Sequence, residues 1–504
     1  MPPATEVRMR RGQRLRAGLH ALRVNVPRAA WICALVAVLN AAAWGVIVPA
    51  FQVSDEQSHY AYVDYLVQEH RPPVSQGKDV YSSSEQSALD ALRFREMRFQ
   101  PEEGAVWTAG DQSRVESLLA QEADRSDGNG GAREVGSEPP LYYALQAVPY
   151  TLASGGTVLD RLQLMRLLSA LLAGATVLFI YLFLREALPG MPEGWRVGAF
   201  GVAFLPMFTL ISGGVNSDAL LYAASAALFY TLARAFRRGL TRAGAIAIGA
   251  ALGAGLMTKF NALGLVPGTA FALLLLGVRR ERGLRPGALA LPALALAVAA
   301  APVLLEMALN ASAWDRPVVG ATASNYRTSA LHPSLGETAS YLWQFYLAPL
   351  PGMTQYISAF PFRDNWVRGF VGWFGWLDGT FPPLVYDLAL VPLAAGALLA
   401  GRTIVRRRDR IRARLGELLS YGVLALGLMA FVALASYISY LRFGESVAQT
   451  RYLFPLLPLY GLLLALAARG AGRRWAPALG TAIVVLAMAH GLFAQLVVLA
   501  RYYA

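Results

Sequence analysis

Long apolar runs alternate with short basic or polar breaks over most of the chain, and about eleven of them approach the ~20 residues that a helix needs to cross a hydrocarbon layer. They fall at about 29–50, 161–186, 195–213, 217–236, 243–260, 261–278, 287–309, 381–401, 416–440, 451–468 and 475–499. The fifth and sixth form a short pair split near Lys259-Phe260-Asn261. The apolar piece from Leu141 to Ala153 is too short to span and reads as an interfacial or re-entrant helix. This pattern predicts an all-α polytopic membrane protein.

Composition agrees: 56% of residues are hydrophobic, 15% are charged and the mean hydropathy is +0.41, values of a chain whose main solvent is lipid. Arginine sets the orientation, because short cytoplasmic loops hold the excess of Lys and Arg. Basic charge concentrates in 9–28, 234–242, 279–285, 402–414 and 469–474, all on one side if the spans are as given. The reading places the N-terminus inside and the C-terminus outside. The net charge of +13 then reflects topology rather than a nucleic-acid footprint, since the arginines are spread over several loops between spans. The first apolar run is too long for a cleaved signal and reads as an uncleaved anchor. Its Cys33 is the one cysteine, so neither an internal disulfide nor a Cys/His metal spacing is available.

Two outer loops differ in character. Residues 51–140 hold more than half of the acids. Within them, Ser82-Ser83-Ser84 can cap a helix reaching about Phe99, whereas the glycine-rich stretch 122–134 has no period and is expected to be mobile. The second loop, 310–380, is dense in aromatics that include Trp373 and Trp376, and half of the tryptophans lie between Trp314 and Trp376. Such residues form an interfacial belt or a wall of flat faces suited to sugar rings or a prenyl chain.

Candidate chemistry gathers at the same face. Val53-Ser54-Asp55-Glu56-Gln57-Ser58-His59-Tyr60 puts two adjacent carboxylates and a histidine just past the first span. Ionisable groups at membrane depth are costly and usually line a cavity. Arg166 early in the second span, Asn216 and Asp218 at the start of the fourth, Lys259 between the fifth and sixth, Glu306 near the end of the seventh and Arg451 at the start of the tenth all fall near the outer leaflet. Each by itself could be a snorkelling side chain or a helix cap. Together they suggest a cavity where Arg and Lys hold an anion while a carboxylate takes a proton.

These residues resemble a family. A first helix followed at once by Asp55-Glu56, a large first outer loop, the Pro139-Pro-Leu-Tyr-Tyr143 element, Arg166-Leu-Leu-Ser at the next span and Gln449-Thr-Arg451-Tyr-Leu-Phe-Pro455 are similar to features of the GT-C superfamily of integral-membrane glycosyltransferases. The last element resembles a Gln-x-Arg-Tyr-x-x-Pro signature of a bacterial branch related in architecture to protein mannosyltransferases, aminoarabinose transferases and arabinofuranosyltransferases. No large soluble C-terminal domain follows, so acceptor recognition would fall to the outer loops. The resemblance implies a basic cytosolic tail (1–28), a transmembrane catalytic module (29–309, with outer loop 51–160), an aromatic outer loop (310–380) and a C-terminal transmembrane module (381–504).

It also implies transfer of a sugar from a polyprenyl-phosphate donor to a hydroxyl of a glycan, lipid or protein acceptor, inverting, at the outer face of the cell membrane. Asp55 would be the general base, and Glu56 would orient the hydroxyl, tune Asp55 or face away. Lys259, Arg166 and Arg451 would stabilise the leaving phosphate, with His59, Tyr60, Asn216, Asp218, Trp373 and Trp376 around the substrate. No glycine-rich nucleotide loop appears, in keeping with a lipid-linked donor. A divalent cation, Mg or Mn, could sit on the two carboxylates and His59. Adjacent residues rarely point the same way on regular backbone, which favours a metal-free base. A lipid or glycolipid flippase would share the spans and the buried charges, but the charges crowd one leaflet and no internal repeat stands out. A structural assembly subunit would need no chemistry at Asp55.

Overall fold

The computed structural model describes residues 26–74, 78–98, 108–119, 124–131, 135–283, 285–317, 334–357 and 361–503. Every apolar run in the sequence is helical. Helix α1 (Arg28–Ile47) leads into the first loop, with α2 (Glu56–Glu69), α3 (Ser83–Ala91), α4 (Phe94–Met97), α5 (Ala109–Leu119) and α6 (Leu141–Leu152). The bundle continues through α7 (Val158–Ala187), α8 (Pro192–Ala203), α9 (Pro206–Gly213), α10 (Asp218–Arg238) and α11 (Arg242–Leu256). A 3-10 turn (Phe260–Leu265) then leads to α12 (Val266–Glu281) and α13 (Pro286–Ser312). The second loop carries α14 (Leu335–Tyr346), a π turn (Phe362–Val367), α15 (Arg368–Val371) and a small antiparallel hairpin, β1 (Trp373–Phe374) with β2 (Gly379–Thr380). The chain ends with α16 (Pro383–Arg406), α17 (Arg408–Arg412), α18 (Leu415–Phe443), a 3-10 turn (Thr450–Leu456), α19 (Leu457–Gly470) and α20 (Ala476–Tyr503).

By length and composition, 9 helices among the described residues can cross a membrane, or 10 when the bent pair α8 and α9 counts as one span. That pair turns by 57° where Pro206, lacking an N–H, begins α9. The remaining run, α11, has 15 residues and a length of roughly 22 Å, short of a hydrocarbon core. It stops because Lys259 adopts extended backbone before the 3-10 turn. The sequence count of about eleven therefore splits into nine clear spans, one broken span and one short helix.

The helices hold together through close contacts. α7 packs mainly against α1 and α10, α11 against α13, and α16 and α8 against α19. A side chain at Gly198 of α8 would collide with the backbone of Gly461 in α19, so this crossing requires small residues. Outward faces are apolar: Leu35, Leu39 and Val46 on α1, Leu384, Leu388 and Leu398 on α16, and Leu492 and Leu496 on α20 are all exposed. Such a belt is stable only where the solvent is hydrocarbon. The chain is a multi-pass membrane protein.

A second core lies under the first loop, where Phe51, Tyr60, Tyr62, Tyr142, Tyr143 and Tyr150 pack with Leu162 and Trp376. Ser82 caps α3 as expected, accepting from Glu85 N at 3.3 Å, but the helix stops at Leu92 because Arg93 takes left-handed backbone. Phe99 lies outside the described residues. In the glycine-rich stretch, residues 124–131 make contacts across the loop: Asp127 accepts from Ser83 N at 2.7 Å, and Gly131, at φ +61°, lies so close to Ser58 that no side chain fits. Contacts across the loop outweigh the unpatterned composition.

Candidate functional site

Between α1 and α2 the chain makes a tight corner in which Phe51 and Asp55 both take φ 65°. That conformation is costly for residues with a Cβ, and the contacts on either side sustain it. Its consequence is that the two neighbouring carboxylates diverge.

Glu56 turns into the bundle and is fully buried. Its Oε1 accepts from Arg166 Nε at 2.8 Å and Val215 N at 3.0 Å, and its Oε2 from Arg166 Nη2 at 2.5 Å and Phe51 N at 2.9 Å. Arg166 donates its remaining hydrogens to Gly45 O and Val48 O, both at 2.8 Å, and Pro49 O at 2.9 Å. All five guanidinium N–H groups are thereby used. Glu56 and Arg166 form a closed clamp joining the end of α1, the start of α2, α7 and the segment just before α10.

Asp55 turns the other way and keeps 30% of its side chain exposed. Its Oδ2 accepts from Arg451 Nη2 at 2.5 Å. The Arg451 Nε stands 3.8 Å from Asp218 Oδ2, Asp218 Oδ1 is 2.9 Å from Lys259 Nζ, and Lys259 is 3.5 Å from Glu138 Oε1. Tyr143 OH donates to Glu138 Oε2 at 2.7 Å and lies 2.9 Å from His59 Nδ1. The chain of charges runs Asp55, Arg451, Asp218, Lys259, Glu138. Beside it opens a cavity of about 250 Å³ whose wall includes Glu138, Lys259, Asn261, Ser436 and Tyr452. The Tyr452 ring faces both cations, 5.8 Å from Lys259 Nζ and 5.3 Å from the Arg451 guanidinium.

Three carboxylates here face two cations, so the cluster offers an entering anion no surplus of positive charge, and such an anion binds on an unspent donor or by exchange with a carboxylate. Arg451 is suited to such an exchange, since it is 6% exposed and its buried Nη1 has no hydrogen-bond partner among the described residues. Burial pushes the Asp55 carboxyl up, but the Arg451 charge and hydrogen bond overcome this and hold it below the ordinary aspartate range. Burial, against the pull of Glu138, keeps His59 below its usual value and so neutral.

The remaining candidates divide. Asn216 is at the site: its Nδ2 donates to Ser54 O at 3.1 Å and its Oδ1 accepts from Asp218 N at 3.0 Å. Tyr60 faces away, accepting from Arg161 Nε at 3.0 Å within the loop core. Trp373 and Trp376 lie on the hairpin, which is tied to the corner by Ser54 Oγ donating to Gly375 O at 2.6 Å. The Trp373 ring stacks under Arg368 at 4.6 Å and the Trp376 ring under Arg98 at 3.8 Å. Glu306 stands apart, 3.8 Å from Arg316, which donates to Gly136 O at 2.6 Å. The sequence reading missed Glu138 and Tyr222, whose OH donates to Arg451 O at 3.2 Å. Glu138 had a signal in its position directly before Pro139-Pro140.

The carboxylate pair and His59 do not fit a divalent cation as they stand, because Glu56 already accepts four hydrogen bonds, two of them from Arg166, while Asp55 faces Arg451. No three His, Cys, Asp or Glu among the described residues converge to hold a metal.

By fold, the chain is similar to the Archaeoglobus fulgidus oligosaccharyltransferase in the apo form, with a TM-score of 0.45 and 12% identity over 94% of this chain and 56% of that one. It is also similar to ArnT from Cupriavidus metallidurans in the apo state, with a TM-score of 0.37 and 17% identity over 81% of this chain and 57% of that one. The archaeal oligosaccharyltransferase AglB from Archaeoglobus fulgidus, in complex with an inhibitory peptide and a dolichol-phosphate, gives a TM-score of 0.43 and 11% identity over 94% and 56%. The chain spans little more than half the length of these proteins. No curated protein matches it in sequence. The family model described as predicted membrane protein (DUF2142) matches residues 38–460, most of the chain and the whole of the charged site, and the chain belongs to that family.

Proposed function

We propose that this protein is a GT-C-type glycosyltransferase that moves a sugar from a polyprenyl-phosphate donor to an acceptor hydroxyl, with Asp55 as general base. One observation carries the reading: the partly exposed carboxylate of Asp55 is held by a buried arginine with an unsatisfied donor, beside a cavity that a lysine lines. Motif order along the sequence supports the donor class.

The charge balance suggests the course of the reaction. The donor phosphate takes Arg451 and Lys259, and Arg451 turns from Asp55 toward it. Freed of its cation, Asp55 becomes more basic and accepts the proton of the acceptor hydroxyl. The acceptor oxygen bonds to the anomeric carbon, the bond from that carbon to the phosphate oxygen breaks, and the electron pair leaves with polyprenyl phosphate. A single displacement inverts the anomeric centre. Donor binding thus switches on the base.

Glu56 and Arg166 have a positioning role in this scheme. They hold the corner from which Asp55 projects and touch neither substrate. The acceptor, a glycan, lipid or protein hydroxyl, approaches from the outer loops, with Trp373 and Trp376 on the hairpin nearest the corner. Arginine placement supports an orientation with Asp55 toward the periplasm or exterior.

Transfer from a panel of synthetic polyprenyl-phosphate sugars in nanodiscs is the test. Asp55→Asn is expected to lower transfer by about 10²–10⁴ while donor binding survives, and Arg451→Gln to weaken donor binding. Full turnover by Asp55→Asn would exclude the base. Lipid movement with no glycosidic product in the unmodified protein would establish a flippase instead.

A further inference from the structure

The far end of the bundle carries a second cavity that the proposed transfer does not use. On α7, Arg166 touches the clamp and Ala187 closes the helix 21 residues later, which sets the two sites roughly 30 Å apart. There the ends of α7, α16 and α19 and the start of α18 surround a space of about 450 Å³. Its walls are largely apolar, with Leu188, Ile411, Leu418 and Leu466, and Arg407 and Arg410 stand on its rim.

The charges at this end are not balanced. Residues 406–414 hold six arginines and one acid, Asp409. Two nearby glutamates are already committed: Glu186 to Arg238 at 2.5 Å and Arg237 at 3.4 Å, and Glu417 to Arg414 Nε at 2.8 Å and to Tyr421 OH at 2.7 Å. Arg414 also donates to Ala187 O. Among the described residues the Arg407 side chain has only Met191 Sδ as a hydrogen-bond partner, at 3.3 Å. Its burial and the charges of Arg410, Arg469 and Arg473 press it below its ordinary basicity, so the cations repel one another across the rim.

A greasy cavity between helix ends with uncompensated arginines at its mouth matches one kind of occupant. We propose that this cavity binds an anionic phospholipid of the leaflet opposite Asp55, its headgroup phosphate on Arg407 and Arg410 and an acyl chain between α16 and α18. The apolar depth selects a lipid over a free anion. Arginine, with its planar fork and weak hydration, is suited to the phosphodiester. The lipid would fasten α16 and α18 to α7 at the end where α17 is the link between them.

The test uses the full chain purified in detergent, titrated with phosphatidylglycerol or phosphatidylcholine and read by native mass spectrometry. Phosphatidylglycerol should be retained and phosphatidylcholine lost. Each of Arg407→Gln and Arg410→Gln should weaken retention about five-fold, and the pair roughly 25-fold. Arg408→Gln with Arg412→Gln removes the same charge from the exposed face and should retain the lipid. Ala413→Trp fills the cavity without changing charge and should lose it, an arm that remains informative if the arginine pair fails to fold. Equal retention of both lipids, equal losses from the 408/412 pair, or displacement by millimolar inorganic phosphate would overturn the proposal.

Discussion

The two ends of the bundle treat charge in opposite ways. At the Asp55 end, three carboxylates and two cations are interleaved so that every cation has an acid within 4 Å. At the Arg407 end, six arginines between 406 and 414 stand with one aspartate among them, and of the six only Arg414 pairs with a glutamate among the described residues, beside a mostly apolar cavity. Interleaved charges can exchange partners with little change in total field, which suits a site where a proton and a phosphate move. A surplus of one sign cannot exchange and can only attract. The proposed chemistry and the proposed lipid site are thus separated by the length of a helix, and a change at one end should leave the other intact.

Within the Asp55 end the same contrast recurs between neighbours. Asp55 is expected to matter for rate, as above, and Glu56 for the fold. Arg166→Leu leaves Glu56 buried without its cation, a loss of about 3–5 kcal/mol, to be read as a lowered melting temperature in detergent. Asp55→Asn keeps an oxygen acceptor for Arg451, which Asp218 also faces, and should lower stability less than Arg166→Leu. Equal losses for the two would erase the distinction between clamp and base.

The acid limb of activity sharpens the comparison. Asp55 is held low, so its ionised form, and the stability its pair with Arg451 contributes, persist above the ordinary aspartate range and fade as pH falls through the lowered value. Arg451→Gln removes the cation that depresses it. The acid limb of the residual kcat/KM, which reports the free enzyme, should then move to higher pH, whereas Arg410→Gln should leave it unmoved. An unshifted limb in Arg451→Gln would mean that another group titrates.

The smallest effect concerns sidedness alone. Cysteines placed at the exposed Ser83 and Arg412 should react with an impermeant reagent from opposite sides of the membrane, with buried Cys33 silent. Reaction from one side would put the two ends of the bundle in the same compartment.

The apolar runs made the helices legible, because a hydrocarbon solvent leaves the backbone few other ways to satisfy its hydrogen bonds. The exceptions were local: Pro206 breaking one span and Lys259 shortening another are visible as residues, but their effect depends on the helices packed beside them. At the site, sequence located Asp55, Asp218, Lys259 and Arg451 at one face, since each interrupts or ends an apolar run. It could not separate Arg166 from that group. Arginine at the start of a span looks the same whether its donors are free or spent.

Sequence by itself determined that this chain lives in a membrane, which segments are helical and where acids and bases crowd. Tertiary structure alone decided which acid is available. Glu56 meets Arg166 across 110 residues and Asp55 meets Arg451 across 396, distances over which no local pattern carries information. The left-handed turn at Asp55, sustained by those two pairs, sends adjacent carboxylates in opposite directions: one closed into the fold, the other open at the mouth of the site.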